Sequence, residues 1–395
     1  MIESPTSAPC STEVSYDEAI RRVLQAVSPN PVRSFRLDLS DPARADEPLG
    51  TILAEPFDAS LDCPPFDTAA VDGYGYCRGS APGRLRLSET AFRIQTGNAI
   101  PPGIDAMAMQ EDCVVTEDWV EVPPFSGKNH IRYRGEEYRS GDRLLPAGTP
   151  VTASALALLA ANGRREFQAH RRPVAEILVT GDELSPVGSP LPNGCIYSSN
   201  GPCLTSAARS LGAVAQWSQA GDDLDRLCET LDASLCRADI VITTGGVSVG
   251  DRDVVKDCFE RLGIEQRFWR VRIKPGKPVY FGIKGDTLVF GLPGSPAAAF
   301  TTFRLFVAPA IRGMLGHIAP EIPSLRCRLV SPLQKRAGRT EFVRARIDSL
   351  VASPIVGEGP GATGQFAQAE GLIHLPEGSE DFAAGDFVRV EPLTF

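Results

Sequence analysis

Four charged side chains stand just past the ends of apolar runs, and their placement sets the chemistry open to this chain. Glu183 follows the run Val174 to Val179 through Thr180-Gly181-Asp182, and Asp222 follows the run Ala213 to Gln219. Asp253 follows Asp239 to Ile242 through the loop Thr243-Thr244-Gly245-Gly246-Val247-Ser248-Val249-Gly250-Asp251, and Lys274 opens the turn Lys274-Pro275-Gly276-Lys277-Pro278. Three carboxylates and an ammonium facing a glycine loop suit a phosphate-bearing ligand bridged by magnesium, because Mg²⁺ takes one or two carboxylates plus phosphate oxygens. The lysine supplies the complementary charge. The competing reading makes the glycines plain tight turns and the acids helix N-caps, a role that suits Asp223 better than Asp222.

The elements that must position these groups are read from periodicity. Val254, Val255, Cys258, Phe259 and Leu262 recur at helical spacing after the glycine loop, so the N–H groups of loop and first turn converge on a point that favours an anion. A helix through Leu211 and another ending at Cys236 separate the three apolar runs. The order strand–helix–strand–helix–strand predicts a doubly wound parallel sheet, whose ligand side lies at the carboxyl ends of its strands. Two further apolar runs, Val279 to Ile283 and Thr287 to Phe290, lead to Gly291-Leu292-Pro293-Gly294-Ser295-Pro296 and a helix over Ala297 to Leu315.

Upstream, Ser15 caps a helix over Tyr16 to Val27, and Thr152 caps another that ends at Asn162-Gly163. Short strand-like runs fill Arg84 to Val122, a β-rich insertion. Around it stand Asp67 and Asp72 in a Pro- and Gly-punctuated segment, Thr96 in Gln95-Thr96-Gly97-Asn98, and the basic stretch Arg132-Tyr133-Arg134-Gly135-Glu136-Glu137 with Arg139. Turn formation accounts for the two acids and for Thr96, and a solvated face of ion pairs for the arginines, unless a ligand is involved. Beyond Pro320 and Pro323, residues from Leu325 onward read as a small β-barrel or sandwich. The expected division is 14–61 with 140–172 as a linker and helical domain, 62–139 inserted, 173–318 α/β, and 319–395 C-terminal.

The composition excludes several classes. The chain has 395 residues, 43% hydrophobic and 23% charged, with a formal net charge of −9, which argues against general affinity for nucleic acid or an anionic membrane. Its ten cysteines and four histidines form no CxxC pair and no HExxH, so a zinc or iron–sulfur centre is not expected. The polar stretch Met1 to Ser15 carries no secretory pattern, and the longest apolar helix, Ala153 to Ala161, is too short to span a bilayer. A cytoplasmic protein with reduced thiols is expected.

Three stretches together, Gly245-Gly246-Val247-Ser248-Val249-Gly250-Asp251-Arg252-Asp253, Lys274-Pro275-Gly276-Lys277-Pro278 and Gly291-Leu292-Pro293-Gly294-Ser295-Pro296, resemble the molybdopterin molybdenumtransferase family, MoeA and the gephyrin E domain. The segment from Phe66 to Gly75 resembles its Phe-Asp-Asn-Ser-Ala-Met-Asp-Gly-Tyr-Ala motif, with Asp72 on the functional aspartate, and Gln95 to Pro101 its Met-Thr-Gly-Ala-Pro-Val-Pro. Arg132, Arg134 and Glu137 stand on Arg-Arg-Arg-Gly-Glu-Asp.

The resemblance implies a multidomain α/β protein with a molybdopterin-binding sheet domain, and insertion of molybdate into adenylylated molybdopterin with release of AMP. It implies Mg²⁺ on Glu183, Asp222 and Asp253, with phosphate or oxyanion on Lys274, Lys277 and Arg270. It further implies molybdate or pterin contacts from Arg132, Arg134 and Arg344, and a pocket completed by Asp72, Thr96, Glu137, Thr180, Gly245, Gly246, Ser248, Pro293, Gly294 and Ser295. No serine, cysteine or histidine nucleophile is in view, and such a reaction needs positioning and charge neutralisation. A homodimer with shared sites, and contacts with other proteins of molybdenum cofactor biosynthesis, belong to the same expectation.

The chain departs from the family pattern at Thr68, Ala69 and Val71, at Ser198 (family Asp), at Ser295 (family Asn), and at Gly361-Ala362-Thr363 (family Gly-Ser-His). These departures keep open a paralogue using tungstate. A non-catalytic cofactor carrier or scaffold is the competing class, and the shorter molybdopterin adenylyltransferases lack the Asp67 to Tyr74 segment.

Overall fold

The computed structural model describes residues 13–37, 48–246, 254–355 and 363–393. The chain falls into two compact units, one of Met1–Ser34, Pro48–Ala54 and Gln168–Phe395, the other of Phe35–Glu47 and Glu55–Phe167.

The first unit is built on a six-stranded sheet. Its strands are β1 (Val174–Thr180), β2 (Val214–Ala220), β3 (Ile240–Thr244), β4 (Glu265–Trp269), β5 (Tyr280–Lys284) and β6 (Thr287–Leu292), in the spatial order β2-β1-β3-β6-β5-β4. Helices α1 (Asn200–Ser210), α2 (Leu224–Leu235) and α3 (Val254–Arg261) make the crossovers. The four strands β2, β1, β3 and β6 are parallel, as the alternating pattern predicts. The sheet is nevertheless mixed, because β5 runs antiparallel to both of its neighbours, β4 and β6. Gly285-Asp286 closes the β5–β6 hairpin with Gly285 at φ +57°, a two-residue connection that antiparallel strands permit and parallel ones do not.

Side chains alternate across this sheet into two cores. Ala175, Ile177, Val179, Ile240, Ile242, Leu288 and Phe290 face one way, onto a cluster that also holds Phe303, Phe306 and the N-terminal helix Tyr16–Ala26. Leu178, Val241 and Val289 face the other, onto Leu227, Leu231, Val255, Cys258 and Phe259 of α2 and α3. Burial on both faces explains why β3 and β6 are wholly apolar or threonine and buried along their length. The helical stretch after the sheet is not one α-helix: Pro296–Thr302 and Ala308–Met314 flank a π-helical turn at Phe303–Val307. Pro309, which has no N–H to give, sits just past that turn.

The C-terminal strands close into a barrel of five: Thr340–Asp348, Val351–Pro354, Leu325–Leu329, Phe387–Pro392 and Gly371–Leu375, the last pairing back onto the first. Ile273–Lys274 joins it in parallel, with Ile273 opposite Thr340 and Lys274 opposite Glu341. The backbone of Lys274 is therefore fixed by the barrel.

The second unit carries two three-stranded sheets. In one, Gly73–Tyr76 lies between Ala91–Ile94 and Ala106–Met109, and in the other Trp119–Val122 lies between Gly83–Arg86 and Val114–Val115. Gly73 is required where it stands, since a Cβ there would lie 1.9 Å from the Ala108 carbonyl oxygen. The helix Ala153–Ala161 begins at Thr152, whose hydroxyl accepts from the Ala155 N–H, and Gly163 follows at φ +72°.

Candidate active site

The carboxyl ends of β1, β3 and β6 meet in a tight knot. The Gly245 N–H donates to the Leu292 carbonyl (3.4 Å), and the Thr180 hydroxyl to the Thr244 carbonyl (3.4 Å). A Cβ on Gly245 would meet the Thr180 carbonyl oxygen at 2.5 Å, and Gly245 sits at φ +96°, so only glycine lets these two strand ends approach this closely. Gly294 packs onto the same residue, its Cβ direction opening on Gly245 Cα at 3.5 Å.

A residue that the motif reading passed over holds the knot together. Asn200, at the start of α1 and buried, donates from its amide to the Thr244 hydroxyl (2.8 Å) and to the Gly294 carbonyl (2.8 Å), while the Thr244 hydroxyl donates to the Pro293 carbonyl (3.0 Å). The available signal was a lone Asn at a helix start, in Ser198-Ser199-Asn200. Nearby, the Ser198 hydroxyl is buried with no hydrogen-bond partner among the described residues.

Glu183 and Asp222 stand beside this knot at the ends of β1 and β2, both exposed. The Asp182 N–H donates to Asp222 Oδ2 (3.4 Å), and the Asp222 N–H returns a bond to Asp182 Oδ1 (3.1 Å). These reciprocal bonds pin the two loops to each other. The helix cap is Asp223, which accepts from the Arg226 N–H at 2.9 Å and leaves Asp222 out of that role. Ser248 and Asp253 lie outside the described residues.

Lys274, Pro293, Ser295 and Arg344 line one cleft of about 590 Å³ between the sheet and the barrel. Its walls include Phe342, Val343, Ala298 and Leu333, and Pro293 to Ser295 join it to the knot. Arg344 lies 3.4 Å from Gln365 Oε1. The Lys274 ammonium donates to Glu341 Oε2 at 3.3 Å, a partner invisible to motif reading because it comes from a barrel strand. Lys277 and Arg270 are not among the residues lining this cleft: the Lys277 ammonium pairs with Glu13 (3.1 Å) and borders a smaller recess of about 260 Å³, while the Arg270 guanidinium packs over the Trp269 ring, 4.7 Å from its centroid.

In the second unit the structure brings Asp72 and Thr96 together. Asp72 Oδ1 accepts from the Thr96 N–H (2.6 Å) and from its hydroxyl (2.8 Å). These bonds, the backbone one foremost, hold the Asp72 carboxyl below the usual carboxylate range. Arg132 pairs with Glu137 (3.2 Å), and Arg134 pairs with Asp62 (2.5 Å) while its N–H bonds Asp67 (2.8 Å). Among the described residues no group of three or more His, Cys, Asp or Glu side chains is placed to hold a metal ion.

A doubly wound domain with a glycine knot at its strand ends, a closed barrel paired to the strand that carries Lys274, and a β-rich unit define a multidomain α/β protein with a cleft suited to an anionic ligand. Residues 176–313 match the model of a probable molybdopterin binding domain, 14–163 the MoeA N-terminal region (domain I and II), and 326–393 the MoeA C-terminal region (domain IV). The chain is 34% identical over 407 aligned residues to a molybdopterin molybdenumtransferase of Staphylococcus aureus (strain Mu50), covering 95% of each. It is 31% identical to that of Staphylococcus epidermidis, covering 96% of this chain and 95% of the relative. The molybdopterin biosynthesis MoeA protein of Pyrococcus horikoshii superposes with a TM-score of 0.78 at 26% identity, covering 96% of this chain and 99% of that one. The chain belongs to the molybdopterin molybdenumtransferase (MoeA) family, enzymes of molybdenum cofactor biosynthesis. No helix among the described residues is long and apolar enough to cross a membrane.

Proposed function

We propose that this protein inserts molybdate into adenylylated molybdopterin, cleaving the pyrophosphate link and releasing AMP in a magnesium-dependent reaction. The observation that carries the reading is the cleft lined by Lys274, Pro293, Ser295 and Arg344, continuous through Pro293 to Ser295 with the glycine knot. An anionic ligand with a flat heteroaromatic pterin suits a cleft lined by the cations Lys274 and Arg344 and by Phe342, Val343 and Leu333.

Glu183 and Asp222 fit Mg²⁺ in donor chemistry, since they offer hard carboxylate oxygens at the ends of adjacent strands. These two residues and Asp253 would hold the ion, and when bound it would neutralise charge on the pyrophosphate. Thr180, Gly245, Gly246, Ser248 and Gly294 cradle phosphate and Lys274 neutralises the leaving or transferring oxyanion, while Lys277 and Arg270, which do not line the cleft, take no part in that set. Arg344 contacts molybdate or pterin, and in a homodimer with shared sites Arg132, Arg134, Glu137, Asp72 and Thr96 of one subunit complete the pocket of the other. A homodimer with shared sites, a cytoplasmic location and contacts with other molybdenum cofactor biosynthesis proteins are part of the proposal.

A second reading, a paralogue favouring tungstate, is supported by the unpartnered buried Ser198 hydroxyl at a position where the family carries Asp. One experiment separates these readings from a non-catalytic carrier. Purified protein is incubated with adenylylated molybdopterin, Mg²⁺ and either oxyanion, and AMP and active cofactor are followed. AMP release with molybdate supports the first reading, preference for tungstate the second, and ligand binding without AMP release the carrier.

A further inference from the structure

Lys274 does not meet the cleft as an isolated cation. Glu341, whose side chain is only 8% exposed, divides its two oxygens between two cations: Oε1 accepts from Arg339 Nε (3.0 Å) and Nη2 (2.9 Å), and Oε2 accepts from Lys274 Nζ (3.3 Å). The contacts differ in kind. A charge-assisted N–H···O bond is ordinarily about 2.7–2.9 Å, so Arg339 anchors the carboxylate while Lys274 makes the longer, weaker contact. An ammonium has three donors, and this one spends a single donor on Glu341.

The backbone enforces the arrangement. Lys274 and Glu341 are paired residues of a parallel ladder, and Arg339, just before the strand that begins at Thr340, reaches back to the same carboxylate. Arg339 borders the smaller recess, Glu341 lines the cleft, and Lys274 borders both. One carboxylate between two cations leaves the trio with a surplus positive charge, and Lys274 is the one of the two cations that reaches the cleft.

We infer that Glu341 is a positioning residue for Lys274, a resident anion that aims the ammonium into the cleft and yields it to an incoming substrate oxyanion, and that Arg339 sets how readily it yields by holding Glu341 back. The inference rests on the reaction proposed above and assigns a role to two residues outside the cation set named there. With Arg339 gone, the whole charge of Glu341 falls on Lys274 and competes harder with a bound anion. With the Glu341 charge gone, that competition ends and the lysine loses its aim.

The two substitutions therefore move affinity in opposite directions. In Glu341→Gln, AMP, used as the anionic probe in calorimetry, should bind several-fold more tightly while kcat for AMP release falls about tenfold or more, since misplacing a positioned group can cost up to about 10²-fold. In Arg339→Gln, AMP should bind several-fold more weakly. A merely structural role would lower the melting temperature and the active fraction of both variants without opposite shifts in Kd. Unchanged affinities, or shifts in the same direction, overturn the inference. If Glu341→Gln does not fold, Arg339→Gln decides alone: weaker AMP binding supports the role and unchanged binding ends it. A wild-type protein that releases no AMP would overturn the proposed reaction, whereas opposite shifts in AMP affinity would still support the pairing of Glu341 with Lys274.

Discussion

Gly245 is the residue on which the strand-end knot most depends, and Gly245→Ala should show it. At φ +96° the new Cβ would sit 2.5 Å from the Thr180 carbonyl oxygen and 2.8 Å from the Thr180 hydroxyl. The left-handed backbone costs an L-residue about 1–2 kcal/mol, and forcing a methyl against backbone that cannot step aside adds about 1–3 kcal/mol. A loss of about 3 kcal/mol follows from the two terms together. Gly294→Ala is the control, because its Cβ would meet Gly245 Cα at an ordinary 3.5 Å, and it should cost less than about 1 kcal/mol. The assay is urea unfolding followed by tryptophan fluorescence. Of the three tryptophans, Trp217 and Trp269 lie in the unit that holds the sheet, so a Trp119→Phe background reports on that unit alone. With a slope of about 1–3 kcal/mol per M for small proteins, the Gly245→Ala midpoint should drop by about 1 M or more. A midpoint within about 0.3 M of the parent, or an equal drop in Gly294→Ala, would refute the close-approach reasoning.

Lys274→Ala and Asp253→Asn should each lower AMP release by about two orders of magnitude or more, since each removes charge stabilisation of a phosphate; near-normal turnover in either variant removes that residue from the mechanism. Asp72 titrates below its ordinary range, so any stability it contributes is present above the unfolded pKa and lost as pH falls through the lower folded value. Thr96→Val removes the hydroxyl donor and keeps the backbone one, so carboxyl NMR should show the Asp72 pKa rising toward the ordinary range, and an unmoved pKa would discount the hydroxyl. If sites are shared in a homodimer, co-refolding equal amounts of inactive Asp72→Asn and Lys274→Ala chains should restore about a quarter of wild-type activity; activity that stays at the mutant level counts against sharing. Ser295→Asn combined with Ser198→Asp should shift the ratio of molybdate to tungstate use, and an unchanged ratio would make the two serines neutral departures.

Local signals carried much of the fold. The order of apolar runs and helices, and the caps Ser15, Thr152 and Asp223, are properties of short stretches, and each takes the expected place. The β5–β6 hairpin was also locally marked, by Gly285-Asp286 between two apolar runs, yet the strand–helix alternation before it favoured reading a uniformly parallel sheet. The C-terminal β-barrel or sandwich was legible as a run of strands and turns, but the choice between the two was not, because closure depends on Gly371–Leu375 pairing with both Phe387–Pro392 and Thr340–Asp348. The same holds within the site. Motifs named Asp72, Thr96, Lys274 and Gly294, but the residues that hold two of them, Glu341 for Lys274 and Asn200 for Gly294, lie 67 and 94 positions away in the chain. Only the barrel register and the start of α1 bring them near.

The proposed reaction couples oxyanion insertion to cleavage of the adenylylated substrate. Its most direct test is a single-turnover experiment in which enzyme in excess is mixed with adenylylated molybdopterin and Mg²⁺, with and without molybdate, and AMP and active cofactor are measured in the same quenched samples. AMP and cofactor should rise together in equal amounts, only when both molybdate and Mg²⁺ are present. Cofactor formed without AMP, or substrate held indefinitely with no AMP released, would contradict it.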